Sequence, residues 1–343
     1  MQITQADLLS ALAAVAPYSA RKSTMPILSC VRLDVDSVAA TDLDVDARAP
    51  LPGASELACC VDARHLLAVV RALADAPVTL TRDGGMLSVE QGRTKMRLPC
   101  LPSADFPALR ALPEDSAWTD AGWLPDALAA VLYAVSHDET RHVLNGICLS
   151  GGAAVATDGH RLAAAPVDAG ALDGAIIPRG LVERLAGASH VARDGQRVWM
   201  KAGAVVVGGR LIEGRFPDWR QVVPTEDQTK TRAVVGVAAM LAALQRVGLS
   251  SNAKTGATRL TIGGDGIAMH AVDPETGEAR DAVDAETSGP DMEIGVRGGY
   301  LADALRGLAC EWAVIAGGDA LSPLLVRPMG DTGRQAVVMP MRI

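Results

Sequence analysis

With 343 residues, 49% of them hydrophobic but only 3% aromatic, the chain holds enough apolar material for two or three domains with cores of Ala, Val, Leu and Ile. A net charge of −8 argues against a protein that coats itself with nucleic acid, so any contact with DNA needs locally concentrated Lys and Arg. No apolar run reaches the ~20 residues of a bilayer span, no basic secretion signal opens the chain, and six cysteines without CxxC spacing read as buried apolar residues of a cytoplasmic protein.

Residues 6–16 carry apolar side chains at helical spacing and predict a first helix. Strand-like alternation follows at 27–35, a second helix at 62–73, and short strands at 78–80 and 86–89 across Asp83-Gly84-Gly85. The succession starts again with a helix at 125–136, strand text at 147–155, a helix at 178–188, and strands at 198–200 and 204–207 across Ala202-Gly203. It starts a third time at 237–249, continues at 258–269 and 297–308, and closes with 312–315 and 324–326 around Gly317-Gly318.

One phrase marks the period. Val38-Ala39-Ala40-Thr41-Asp42 recurs as Val155-Ala156-Thr157-Asp158, and more faintly as Met269-His270-Ala271-Val272-Asp273, with the aspartates 116 and 115 residues apart. The expected architecture is α+β: three tandem similar domains at 1–117, 118–231 and 232–343, each with two helices packed on antiparallel sheet.

The second unit contains Ala156-Thr157-Asp158-Gly159-His160-Arg161-Leu162-Ala163, then Leu211-Ile212-Glu213-Gly214-Arg215-Phe216-Pro217-Asp218-Trp219. The chain also carries Met25-Pro26-Ile27-Leu28 and Leu144-Asn145-Gly146, and ends Val337-Val338-Met339-Pro340-Met341-Arg342-Ile343. In this order, inside a three-fold repeat, these motifs resemble the beta subunit family of bacterial DNA polymerase III, the DNA sliding clamps. The resemblance implies the DNA-clamp fold, a head-to-tail homodimer closing a six-domain ring around double-stranded DNA, and no catalytic residue, metal or cofactor. It implies as partners the catalytic subunit of the replicative polymerase, the clamp loader, and repair and translesion polymerases that dock through short peptides, and no membrane.

By the same resemblance, a peptide-binding pocket between the second and third domains would comprise Leu144, Thr157, Gly159, His160, Arg161, Leu162, Pro217, Val222, Leu321, Pro323, Val337, Met339, Pro340 and Met341, with Tyr300 and Arg342 at its edge. Flexible thioethers at 339 and 341 suit a surface that accepts several peptides, and Arg161 and Arg342 are positioned to pair with polar or acidic peptide groups. The DNA-facing set is Arg21, Lys22, Arg64, Arg71, Arg141, His142, Arg179, Arg184, Arg246, Arg297 and Arg306. Each expected second helix is net +1 in a chain of −8. A ring that holds DNA by closure needs only a faintly basic lining, since strong phosphate contacts would oppose sliding, and nothing is built to read bases.

Some positions depart from the family pattern. His142-Val143 stands where an aromatic pair is usual, Trp219 replaces a tyrosine, Lys22 an arginine, and Arg297 a neutral residue, so Arg297 faces either DNA or peptide. Phe106 and Leu249 are candidates for the subunit join from their apolar character. Two alternatives stand beside this reading. Asp158 with His160, and His270 with Asp273, form Asp/His pairs that could begin a metal site, although HExxH, P-loop, GxGxxG and nucleophile-elbow motifs are missing. A repeat-built scaffold that binds proteins but not DNA would share the pocket and lack the basic helix faces.

Overall fold

The computed structural model describes residues 1–183, 187–330 and 332–342. They form two compact units, one of residues 1–122 with 180–211, the other of 123–179 with 212–343. Each unit is built on a series of twelve hydrogen-bonded strands among the described residues.

In the first unit, α1 (Gln5–Val15) and α2 (Ala63–Ala72) pack against each other. Thr4 caps α1 by accepting the Asp7 amide at 3.1 Å, and Asp62 caps α2 by accepting that of His65 at 2.8 Å. Leu8, Ala11, Leu12 and Val15 recur at i, i+3, i+4 and i+7 and are buried, so one stripe of α1 faces the core. A fully buried leucine there contributes about 2 kcal/mol. On α2 the exposed Arg64 and Arg71 stand seven residues apart, on one outward face. The strand Val45–Pro50 pairs antiparallel with Val205–Arg210, which joins the first repeat's sheet to the latter half of the second repeat's strands.

In the second unit, α3 (Leu124–Val131) buries Leu124, Ala127, Leu128 and Val131. The helix expected at 178–188 is a single described turn, α4 (Arg179–Val182); residues 184–186, Arg184 among them, lie outside the described residues. In the third repeat α5 (Val237–Gly248) and α6 (Gly298–Leu308) pack together over one core that includes Met240, Leu244, Leu260, Ile294, Leu301 and Leu305. Strands Arg161–Pro166 and Gln335–Val338 pair antiparallel, with Leu162 opposite Val337, and so run the second repeat's sheet into the third's. Helix α3 also touches α6, where Gly307 lets Tyr133 lie close: a Cβ there would fall 2.4 Å from the Tyr133 ring.

Several strand expectations change. The strand expected at 27–35 begins only at Cys30, because Pro26–Ser29 form a 3-10 turn and Pro26 has no amide to give a ladder. The text at 147–155 is two strands, Gly146–Ser150 and Ala153–Thr157, folded back on each other. The text at 258–269 likewise becomes the hairpin Ala257–Gly263 with Gly266–Asp273. Phe106 is buried beside Ile27, Leu28 and Cys60, whereas Leu249 is 78% exposed.

The echoing phrase has a local cause. In each repeat it is the second strand of a hairpin, and its aspartate closes the following turn. Asp42 accepts the amides of Asp44 and Val45 at 3.2 and 2.9 Å, Asp158 those of His160 and Arg161 at 2.9 and 3.0 Å, and Asp273 those of Glu275 and Thr276 at 2.8 and 3.2 Å. Bonds from the Glu275 amide first, and then from the Asn252 side chain, hold the Asp273 carboxyl below the usual carboxylate range. His270 meanwhile bonds Glu278 at 2.8 Å. These Asp/His pairs are turn and sheet chemistry, and among the described residues no three metal-ligating side chains gather.

Five cysteines are buried and Cys310 is half-buried. Burial pushes the Cys59 and Cys60 thiols up to about 12 and Cys148 to about 11. Only the thiolate attacks a disulfide reagent, and only where the reagent can reach it. Burial raises the Cys310 thiol as well, but Cys310 alone is not fully buried, so the native chain is expected to show one thiol, Cys310, reacting ahead of the rest, and all six after denaturation. An Ellman titration in which several native thiols react at once would contradict this packing.

Candidate peptide-docking pocket and basic helix faces

The end of Ala153–Thr157, the start of Arg161–Pro166 and the strand Gln335–Val338 meet the 3-10 turn Trp219–Val222 around a mainly apolar cavity of about 190 Å³. Leu144, Thr157, Gly159, Arg161, Leu162, Pro217, Val222, Val337 and Met339 line it, as do Asp218 and Trp219, which belong to a motif of the sequence but not to the expected pocket. The signal for those two was their place between Pro217 and Val222. Apolar side chains dominate the lining, and Val222 stays 45% exposed at its rim.

The turn beside the cavity is tightly bonded. The Thr157 hydroxyl donates to the Arg161 carbonyl at 2.7 Å and accepts the Gly159 amide at 3.1 Å. Gly159 has φ +87°, a conformation that favours glycine.

Arg161, with 11% of its side chain exposed, is held between two carboxylates. Its Nε donates to Asp158 at 3.0 Å and its Nη1 to Asp303 on α6 at 2.6 Å. The guanidinium lies over the Tyr300 ring at 4.4 Å and the Tyr133 ring at 5.5 Å. Burial raises the Tyr133 hydroxyl well above its ordinary value. Asp303 also accepts from Arg306 at 3.0 Å, so one carboxylate ties the cavity wall to the outer face of α6.

The other expected pocket residues sit around the cavity rather than in its wall. The His160 ring stacks on Tyr300 with centroids 6.4 Å apart. The His160 carbonyl accepts the Met339 amide at 2.9 Å, and the Met341 amide donates to Gly295 at 2.8 Å, so Pro340 and Met341 continue as a bonded tail. Arg342 is exposed, Leu321 is 74% exposed on the Asp319–Ser322 turn, and Pro323 is half-buried.

The basic residues divide into two groups. Arg21, Lys22, Arg64 and Arg71 are exposed in the first unit with no carboxylate partner among the described residues. In the second unit Arg246 pairs with Asp281 at 2.6 Å, Arg306 with Asp303, and Arg141 with Asp138 at 3.0 Å. Arg179 bonds the His137 imidazole, and His142 is exposed. Arg297 donates to the Tyr300 hydroxyl at 3.2 Å and packs over its ring at 4.9 Å, which places it in the Tyr300 cluster.

Tandem two-helix units on continuous antiparallel sheet, with an apolar surface cavity where two repeats join, define a repeat-built clamp fold. Family models of the DNA polymerase III beta subunit match in order: its N-terminal domain at residues 1–110, its central domain at 121–218 and its C-terminal domain at 220–342. The beta sliding clamp of Proteus mirabilis is 32% identical over 369 residues, covering 99% of each chain, and that of Escherichia coli K12 is 30% identical over 372 residues, again covering 99% of each. The crystal structure of the DNA polymerase III subunit beta from Pseudomonas aeruginosa superposes with a TM-score of 0.89 at 27% identity, covering 100% of this chain and 99% of that one. The chain belongs to the DNA polymerase III beta subunit family, the beta sliding clamps. Membership makes it a non-catalytic processivity subunit. Among the described residues, no helix is long and apolar enough to cross a membrane.

Proposed function

We propose that two copies of this chain close head to tail into a six-domain ring that encircles double-stranded DNA without reading its sequence, and tether the replicative polymerase to it. The observation that carries this reading is the match, in order, to all three clamp domains, at residues 1–110, 121–218 and 220–342. In it the three domains divide at 117/118 and 231/232, and the ring works in the cytoplasm. The exposed Arg21, Lys22, Arg64 and Arg71 supply most of the free positive charge toward DNA. Arg246 and Arg306, neutralised by aspartates, add little long-range attraction. A ring of this kind retains DNA by topology and slides because few phosphates are gripped.

The cavity at Leu144, Thr157, Leu162, Val222, Val337 and Met339 receives short apolar peptide segments of the polymerase, the clamp loader and the repair and translesion polymerases. Its apolar wall and free rim support this use. Leu249, with its side chain open to solvent, is the better candidate for the subunit join than the internally packed Phe106.

Retention on DNA tests the ring. Protein loaded by a clamp loader onto a closed circle is expected to stay through gel filtration and to be lost once the circle is cut. Light scattering should give a mass near twice 35.5 kDa. Equal retention on circular and linearised DNA, or a strict monomer at micromolar concentration, would show that no closed ring forms.

A further inference from the structure

A second crevice, of about 380 Å³, shares Pro217, Asp218 and Trp219 with the docking cavity but differs from it in chemistry. Its lining adds two guanidinium groups, Arg215 and Arg220. Arg215 is exposed and has no carboxylate partner among the described residues. The Arg220 guanidinium sits over the Trp219 ring at 4.5 Å and donates to the Gly151 carbonyl at 2.8 Å, which orients it. The carboxylate in the lining, Asp218, already accepts from Gln221 at 3.0 Å. Trp219, 8% exposed, keeps a buried indole N–H with no acceptor. The lining therefore sets two guanidinium groups, one of them without a carboxylate partner, against one carboxylate, which suits a carboxylate ligand.

The docking cavity cannot supply that charge itself. Its one guanidinium, Arg161, is held by Asp158 and Asp303 between two tyrosine rings. Apart from the exposed Arg342 on the C-terminal tail, an acidic residue next to a docked apolar segment finds counter-charge across the Pro217-Asp218-Trp219 wall. We propose that the Arg215/Arg220 crevice is an acid-reading subsite, which binds an Asp or Glu side chain flanking the apolar segment seated in the docking cavity. Arg215 makes the principal contact, and Arg220, braced on Trp219, makes the second. The inference rests on the docking reading of the neighbouring cavity, and it adds a preference for acidic flanks to it.

The test uses the full-length protein and synthetic peptides that share one apolar core, bearing glutamates at one end or the other, or glutamines in the same places. Binding is read by fluorescence anisotropy at low and high salt. A glutamate peptide is expected to bind about fivefold more tightly than its glutamine twin, as one exposed charge contact allows, with the gap narrowing in salt. Arg215→Ala should close most of the gap while leaving the glutamine peptide's affinity unchanged, Arg215→Lys should keep part of it, and Arg215→Ala/Arg220→Ala should close the rest. Equal binding of the twins to the wild-type protein, equal loss of both in Arg215→Ala, or a gap that survives Arg215→Ala/Arg220→Ala would overturn the subsite. So would failure of every peptide to bind, or Arg215-dependent binding of a short oligonucleotide with no glutamate preference. A glutamine peptide that fails while its glutamate twin binds through Arg215 would show an anion site without apolar docking, and would overturn the docking reading on which the subsite rests.

Discussion

Truncation after Val338 is expected to abolish peptide docking, raising the Kd of an apolar peptide about a hundredfold, roughly 3 kcal/mol, while two copies still associate. The removed tail carries Met339, which lines the cavity, and two backbone bonds: the Met339 amide to His160 and the Met341 amide to Gly295. Both the thioether wall and the anchorage of the turn at Gly159 go with it. The strand Gln335–Val338 stays paired with Arg161–Pro166 on one side and Leu324–Pro328 on the other, so the sheet itself persists. Fluorescence anisotropy measures docking and light scattering measures association. Unchanged peptide affinity in the truncated chain would refute the placement of the docking pocket. Met339→Ala separates the side chain from the backbone bonds and should recover part of the loss.

The second large effect belongs to Arg161. Replacing it with alanine leaves the Asp158 and Asp303 carboxylates without a shared cation and strips the charge from between Tyr133 and Tyr300. Removing the shared cation from two part-buried pairs, with Asp303 still held by Arg306, costs on the order of 1–3 kcal/mol, so the urea midpoint of the second unit should fall. Docking should weaken with it, because the guanidinium also lines the cavity. Arg161→Lys retains the charge but loses the fork that reaches two carboxylates at once, and should recover only part of the stability. An alanine variant with the wild-type midpoint would mean that the Arg161–Asp303 bond contributes nothing to holding α6 against the second repeat's sheet.

The amphipathic helices were legible in the sequence because their signal is local. Leu8, Leu12 and Val15, or Met240, Leu244 and Val247, recur at a helix's own period, and the same stripes are buried in the fold. The Ala-rich strand Arg161–Pro166 was not legible, because Leu162 to Ala165 are buried in succession and show no alternation. The echo of Asp42, Asp158 and Asp273 marked the repeat correctly, and its cause is a shared turn, which an Asp/His motif search would mistake for a ligand pair.

By itself the sequence determined the class of the chain, its threefold plan and the stripes of its long helices. Those properties lie within short windows or within ordered motifs. Only the tertiary structure decided which charges are free. Arg161 meets an aspartate 142 residues away, Arg246 meets one 35 residues away, and Arg215 and Arg220 are left over beside Trp219. Charge pairing and cavity walls depend on residues brought together through space, and neither periodicity nor composition records that distance.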